Sequence, residues 1–269
     1  MPDEQGGKGN QMSDSSQDAK DAVRKQYGSV GDAYVKSVGH ATGNDLGRMV
    51  ELANPRSTDE MLDVATGGGH VARAFSPHVS HVVASDLTPE ILGFAAAAFA
   101  EWGLANVTTA VADAEALPFA DGSFDIVTCR IAPHHFPNPS SFVQEVARVL
   151  RTGGRFVLVD STVPAGDDGV VFNTFEKLRD PSHVRSLTID AWTGLLEAAG
   201  LTVEAVESFT KRHDFADWTS RSRTSDEDRA ELERMIREAP AVFRAGFETD
   251  NPEKVVAFHD TKTLFLGLK

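Results

Sequence analysis

The sequence predicts an α/β fold in which helices cover both faces of a mostly parallel β-sheet. Short apolar runs alternate with amphipathic segments along residues 61–161, which is typical of strands joined by crossover helices. The first run, 61–65, is followed by Gly67, Gly68 and Gly69, and the second run, 81–85, is followed by Asp86. These features predict a parallel β-α-β unit whose first turn lets a ligand approach the backbone.

The elements are predicted in the following order. Residues 1–18 are rich in Gly, Ser, Gln and Asp and are expected to be disordered, and 19–55 are expected to form a helical lid that glycines interrupt. Strands are predicted at 61–65, 81–85, 107–111, 124–129, 155–161, 201–206 and 263–268. Further helices are predicted at 70–75, 89–102, 140–150, 171–178, 188–199 and 226–237. One domain is therefore expected over 19–269, with a ligand-binding core at 56–161 and a helical insertion, the last helices and the closing strands at 162–269.

Composition limits the partners of the chain. Its net charge of -14 repels nucleic-acid phosphates and anionic membranes. Its single cysteine, Cys129, allows no internal disulfide, which fits a reducing compartment. No apolar run reaches the roughly 18 residues of a membrane span. We expect a cytoplasmic protein with a small-molecule partner, no nucleic acid and no membrane insertion; a homodimer is compatible with the sequence.

The glycine turn and Asp86 predict a nucleoside ligand. A carboxylate at the tip of the second strand, about 20 residues after the turn, can accept hydrogen bonds from two ribose hydroxyls. An NAD-dependent oxidoreductase is one alternative, because Gly67-x-Gly69-x-x-Ala72 fits the dinucleotide fingerprint. The roughly 60 residues before the turn argue against it, since such enzymes start close to their glycine turn. The sequence also lacks a Tyr-x-x-x-Lys pair and a second catalytic domain.

Several motifs together resemble the class I S-adenosylmethionine-dependent methyltransferases. They are Leu62-Asp-Val-Ala-Thr-Gly-Gly-Gly69, Asp86, Asp113-Ala114, Leu117-Pro118-Phe119, Asp121-Gly-Ser-Phe-Asp-Ile-Val127 and Leu150-Arg-Thr-Gly-Gly154. The chain looks most similar to the ubiquinone and menaquinone C-methyltransferases and their small-molecule relatives. The resemblance implies a Rossmann-like, seven-stranded sheet, S-adenosylmethionine as cofactor and no metal ion. The implied reaction is methyl transfer to carbon, oxygen or nitrogen of a small, largely apolar or aromatic molecule.

The resemblance also implies a set of cofactor-binding residues. Asp63 would contact the methionine ammonium, Asp86 the ribose hydroxyls and Asp113 the adenine amino group. The remaining cofactor residues lie in the turn and at the strand ends: Ala65, Gly67, Gly69, Leu87, Ala114 and Arg130. Ala65 holds the place of the first glycine of the family motif. A protein that binds S-adenosylmethionine without catalysis is a further alternative, which any turnover would exclude.

Two histidines are the candidates for a general base. His134 and His135 follow the fourth strand, where substrates bind in open α/β sheets, and His135 is favoured because Phe136 and Pro137 would anchor it. The alternative is a structural role, in which the two histidines hydrogen-bond the loop backbone. The candidate substrate-binding residues lie in the lid and the insertion: Tyr27, Tyr34, His40, Arg179 and His183. For these, packing or a solvated loop is the alternative.

Overall fold

The sheet has the predicted mixed architecture. In this computed structural model, residues 7–28, 44–239, 244–251 and 254–269 are described. Their strands are β1 (Glu60–Val64), β2 (His81–Asp86), β3 (Val107–Val111), β4 (Phe124–Arg130), β5 (Leu150–Thr162), β6 (Thr202–Asp214), β7 (Phe247–Asn251) and β8 (Lys254–Leu268). Seven strands follow the order β3-β2-β1-β4-β5-β8-β6, and β7 pairs with β8 beside this path. The first five pair in parallel, whereas β8 is antiparallel to β5, β6 and β7. The α/β prediction is confirmed, and β7 is an additional strand.

Helices cover both faces of the sheet. They are α1 (Gly7–Gly28), α2 (Asn44–Ala53), α3 (His70–Phe75), α4 (Pro89–Glu101), α5 (Pro139–Val149), α6 (Asp167–Arg179), α7 (Ile189–Ala198), α8 (Phe215–Arg221) and α9 (Asp226–Glu238). Phe142 of α5 and Trp192 of α7 belong to one buried core, and Met49 of α2, Phe75 of α3 and Phe99 of α4 to another. Because both faces of the parallel strands are covered, β1 and β4 read as nearly continuous apolar runs.

The N-terminal helix begins earlier than expected. Helix α1 starts at Gly7, so residues 7–18 are helical where disorder was predicted. Polar residues dominate this half of α1, and they carry no apolar periodicity from which a helix could be predicted. The second half of α1 contacts the rest of the protein, since Lys20 and Val23 line the cavity described below.

The closing strands β6 and β8 are longer than predicted. They pair from Thr202 with Leu268 to Asp214 with Ala257, well beyond the expected strands at 201–206 and 263–268. Half-buried and exposed residues alternate along the whole of β6, so its inner face remains covered to the end. Because the pairing of β5 with β8 stops at Thr162 and Thr261, the first residues of β8 extend past the carboxyl end of β5.

A small aromatic core supports this extension. It joins the insertion to the start of β8 through Phe175, Phe215, Trp218, Leu232, Ile236, Val255 and Phe258. Trp218 stacks on Phe175, with ring centroids 5.0 Å apart. Within the described residues, no helix has the length and apolar character needed to cross a membrane.

Candidate active site

A cavity lies at the carboxyl ends of the parallel strands, and its two halves differ in charge. The acidic half is formed by the turn after β1 and the ends of β2 and β3, and its charged lining residues are Asp63, Asp86, Asp113, Glu115 and Lys20. The basic half is formed by the end of β4 together with β5, α6, β6, α8 and β8. Its charged lining residues are Arg130, Arg179, Lys211, Arg221, Lys262, Glu176 and Asp260. His134, His135, His183 and His213 also line the basic half.

The glycine turn brings backbone to the surface of the acidic half. Ala65 and Gly67 have φ of 54° and 53°, a left-handed conformation that glycine adopts easily and alanine rarely. A Cβ atom added to Gly67 would meet no other atom within 4 Å, so the space above it is open. The Gly67 N–H donates a hydrogen bond to Asp86 over 3.1 Å, which ties the turn to the tip of β2.

Gly69 has a packing role that the sequence did not predict. It is not among the described residues that line the cavity. It has φ of 78°, and a Cβ atom there would lie 2.2 Å from Cε1 of Phe99 on α4. Gly69 is therefore needed for close packing of the turn against α4, and its contact with a ligand stays a prediction.

Two buried carboxylates of the acidic half are already oriented by the protein. Asp63 accepts hydrogen bonds from the hydroxyls of Thr66 (2.6 Å) and Thr128 (2.7 Å), and burial raises its pKa to about 6. Asp86 accepts from the N–H groups of Gly67 and Thr88, and burial raises its pKa as well. A carboxylate offers about four acceptor sites, so both groups can still accept from a ligand.

The N-terminal helix closes the far end of the acidic half. Nζ of Lys20 lies 2.7 Å from Asp113 and 2.8 Å from Glu115. Leu87 and Ala114 line the same end. Asp113 lies between the cavity and α1, so any group bound to Asp113 is also close to α1.

Arg130 marks the boundary between the halves. Its guanidinium makes a two-pronged ion pair with Asp45 of α2, at 2.5 and 3.0 Å. The next residue, Ile131, has φ of 54°, which is an outlier for a β-branched side chain. The chain thus turns sharply after β4, and the histidine segment follows this turn.

The histidines form one cluster with fixed hydrogen bonds. Nδ1 of His134 lies 2.6 Å from Oδ1 of Asp160, and Nδ1 of His135 lies 3.1 Å from the carbonyl oxygen of Ser182. The ring centroid of His134 is 4.2 Å from that of His135 and 5.5 Å from that of His183. Burial lowers the pKa of all three, that of His183 to about 2. These side chains are therefore neutral near pH 7.

The comparisons with known proteins agree with this geometry. A family model described as a methyltransferase domain matches residues 62–158. YcgJ of Bacillus subtilis, which is named a methyltransferase, is 40% identical over 187 residues, covering 68% of this chain and 73% of YcgJ. The chain belongs to the S-adenosylmethionine-dependent methyltransferases. The crystal structure of YcgJ has a TM-score of 0.81 and covers 83% of this chain and 97% of that protein, at 34% identity. A demethylmenaquinone methyltransferase of Thermus thermophilus is 35% identical over 48% of this chain and 59% of its own length.

The acidic half fits the nucleoside part of the methyltransferase cofactor, S-adenosylmethionine. The open backbone at Gly67, the spare acceptor sites of Asp86 and the carboxylate of Asp113 suit a ribose and an amino group. The predicted residues that line the cavity are Asp63, Ala65, Gly67, Asp86, Leu87, Asp113, Ala114, Arg130, His134, His135, Arg179 and His183. Tyr27 belongs to α1, but its side chain is outside the described part, and Tyr34 and His40 lie outside the described residues.

The closing strands of this methyltransferase add cavity residues that were not predicted from the sequence. Lys211 and His213 share one face of β6, and Asp260 and Lys262 share one face of β8, because side chains two apart point the same way. A lysine and a histidine on the inward face of a strand were a signal that could have revealed them. In the described residues, no group of three or more His, Cys, Asp or Glu side chains could hold a metal ion.

Proposed function

We propose that this methyltransferase methylates an oxygen or nitrogen atom of a small molecule, with His134 as the general base. The observation that carries this proposal is the buried pair of His134 and Asp160 in the wall of the basic half. A carboxylate accepts the Nδ1 proton, which leaves the lone pair of Nε2 available. When bound, the cofactor supplies an electrophilic methyl group for in-line displacement.

The environment of His134 supports its role as a base. Burial, together with the repulsion that a proton on His135 or the charge of Lys262 would exert, holds the pKa of His134 well below its ordinary value, so the ring is neutral at pH 7. When the ring accepts a proton from a hydroxyl or amine, the Asp160 carboxylate stabilises the imidazolium. Nδ1 of His135 lies within hydrogen-bonding distance of the carbonyl and the hydroxyl of Ser182, whereas Nδ1 of His134 contacts a carboxylate, so we favour His134 over the His135 favoured by the sequence.

The walls of the basic half support an acceptor with a flat or apolar body. Ile131, Phe136, Pro137 and Trp218 line it, and Trp218 is 3% exposed. The acceptor would lie between these side chains, with its reactive hydroxyl or amine toward the histidine cluster. The body of this acceptor is largely apolar, as expected from the sequence. Its polar substituent would face the polar wall of the basic half.

We also propose that α1 acts as the lid over the cofactor. The ion pairs of Lys20 with Asp113 and Glu115 join α1 to the adenine end of the acidic half. A lid excludes water and holds the reactants in line. Its opening would free both faces of the cofactor site for exchange.

The direct test is release of S-adenosylhomocysteine from the cofactor across a panel of phenols, amines, quinols and heteroaromatic acids. We expect turnover with a hydroxyl or amine acceptor and, by mass spectrometry and NMR, a new O-methyl or N-methyl group in the product. The His134→Asn variant keeps a donor for Asp160 but lacks the base, and the exposed His78→Asn is its control. A methyl group on carbon, or full activity in His134→Asn, would refute the proposal.

A further inference from the structure

The basic half carries its positive charges on the cavity side of the wall. Five cationic side chains line it, from five different elements: Arg130, Arg179, Lys211, Arg221 and Lys262. Only Glu176 and Asp260 supply carboxylates among its described lining residues. The other carboxylates that contact side chains of the basic half lie behind the surface of the cavity.

Three carboxylates form that outer layer. Asp45 binds Arg130, Asp160 binds His134, and Asp180 lies 3.8 Å from Arg179. None of the three is among the described lining residues. A layer of cations in front of a layer of carboxylates gives a positive potential inside the cavity, and a pocket with low-dielectric walls concentrates that potential.

The closing strands concentrate these cations further. Lys211 pairs in register with Asp260, and Lys262 lies two residues farther along the same face of β8. Nζ of Lys262 binds Asp260 over 2.7 Å and also the hydroxyl of Ser161. Lys262 is 4% exposed, so an ammonium group is held at this position by a built set of partners.

We propose that the basic half binds a carboxylate group carried by the methyl acceptor. This inference rests on the proposed function, because it names the class of acceptor for the same site. The cofactor has a carboxylate of its own at its methionine end, which Arg130 is placed to meet. The cations on β6 and β8 lie beyond Arg130, on the acceptor side, and an acidic acceptor would bind there after the cofactor.

The protonation of Lys211 provides a signature of such binding. Burial, with the positive charges of Lys262 and Arg130, lowers the pKa of Lys211 to about 8, against the opposing effect of Asp260 and Asp45. His213 faces the same group of charges. A carboxylate placed among them would raise the pKa of Lys211, so at pH 8 the protein would take up protons as the acid binds.

The test is calorimetry on protein saturated with S-adenosylhomocysteine. The probes are two acids and their uncharged amides, salicylate with salicylamide and anthranilate with anthranilamide. We expect at least one acid to bind about tenfold more tightly than its amide, with an affinity that falls as salt rises. In Hepes and Tris at the same pH, the binding heat of the acid should differ by the heat of proton uptake, and that of the amide should not.

Two substitutions on β6 form a matched pair. Lys211→Met should remove most of the preference for the acid and the proton uptake, and Lys211→Arg should restore the preference. Arg212→Met is the control, because Arg212 is the adjacent exposed residue and pairs with Glu248. Equal binding of acid and amide by the wild type, absence of acid binding at millimolar concentration, or unchanged acid binding in Lys211→Met would overturn the inference.

The same titration separates this inference from the proposed function. S-adenosylhomocysteine is titrated first, and we expect its binding to depend on the acidic half and on Arg130, without Lys211 or Lys262. Binding of S-adenosylhomocysteine without any preference for the acids refutes only the carboxylate site. Turnover of neutral phenols with dependence on His134 would leave the proposed base intact while refuting the acidic acceptor.

Discussion

The two halves of the cavity are built in different ways from the same chain. The acidic half comes from turns that follow three neighbouring strands within residues 63–115, with Lys20 added from α1. The basic half collects side chains from Arg130 to Lys262, from strands and helices that are distant in the sequence. Backbone conformation and a few carboxylates define the first, whereas the second depends on how the closing strands and the insertion fold over the sheet. The proposed acceptor site therefore lies in the half that local motifs do not define.

The largest expected effect separates chemistry from cofactor binding. His134→Asn should lower kcat by about 10² to 10⁴-fold, the usual contribution of a general base, while the affinity for S-adenosylhomocysteine stays within about threefold of the wild type. Single-turnover kinetics and calorimetry measure the two quantities. If kcat and the affinity for S-adenosylhomocysteine fell together, the acidic and basic halves of the cavity would not be independent.

Loss of the ribose carboxylate should show the opposite pattern. Asp86→Ala removes the proposed acceptor for the ribose hydroxyls, so cofactor affinity should fall by about 2 kcal/mol, or roughly 30-fold. Asp121→Ala, at a carboxylate whose side chain is 81% exposed, is the control and should bind as the wild type does. Calorimetry that finds equal affinities for the two variants would exclude the ribose assignment.

The dependence of kcat on pH tests the state of the His134–Asp160 pair. Burial raises the pKa of Asp160 to about 7, against the lowering effect of Lys262. Below that pH Asp160 is protonated, so it no longer offers a carboxylate to stabilise the imidazolium that forms when His134 accepts a proton. We expect kcat at saturating acceptor to rise about tenfold per pH unit below about pH 7 and to level off above it. A flat profile between about pH 5 and about pH 8 would contradict this account.

Substitutions of the two glycines Gly67 and Gly69 should affect different properties, cofactor binding and stability respectively. Gly69→Ala forces a Cβ atom against Phe99 and should reduce the free energy of unfolding by about 2 to 4 kcal/mol. Gly67→Ala meets only left-handed strain, of about 1 kcal/mol, but should weaken cofactor binding because the added methyl group enters the open space. Urea denaturation and calorimetry measure both variants. Equal losses of stability would contradict the packing role of Gly69.

The smallest effect concerns the lid. S-adenosylhomocysteine should slow amide exchange in residues 15–26, and Lys20→Met should raise exchange there without altering β1. Lys25→Met, an exposed lysine of the same helix, is the control. Exchange in α1 that is as slow without ligand as in β1 would show that the helix is fixed packing.

The acidic half was largely predictable because its motifs are local. A strand, a glycine turn and an acid at the next strand end fix the positions of Gly67 and Asp86 within one β-α-β unit. Gly69 was the exception, since its contact with Phe99 joins residues that no local pattern connects. The sequence shows that a turn needs a residue with positive φ, but not what lies beside that residue.

The basic half could be predicted only in part. His134, His135, Arg179 and His183 were found from their place after a strand or in the insertion. Lys211 and Lys262 were missed because one strand was predicted to end at residue 206 and the other to begin at residue 263. Both lysines lie outside those bounds, so the face of the sheet that each occupies was undefined. The partner of each cation, such as Asp45 for Arg130, depends on packing between distant segments.

The most direct test of the two-half cavity is a crystal structure of the protein with S-adenosylhomocysteine bound. We expect the ribose hydroxyls on Asp86, the adenine beside Leu87 and Asp113, and the sulfur atom at the boundary near Arg130, facing the histidine cluster. Adenosine bound among Lys211, His213 and Lys262, or outside the cavity, would contradict the assignment of the halves and with it the proposed role of His134.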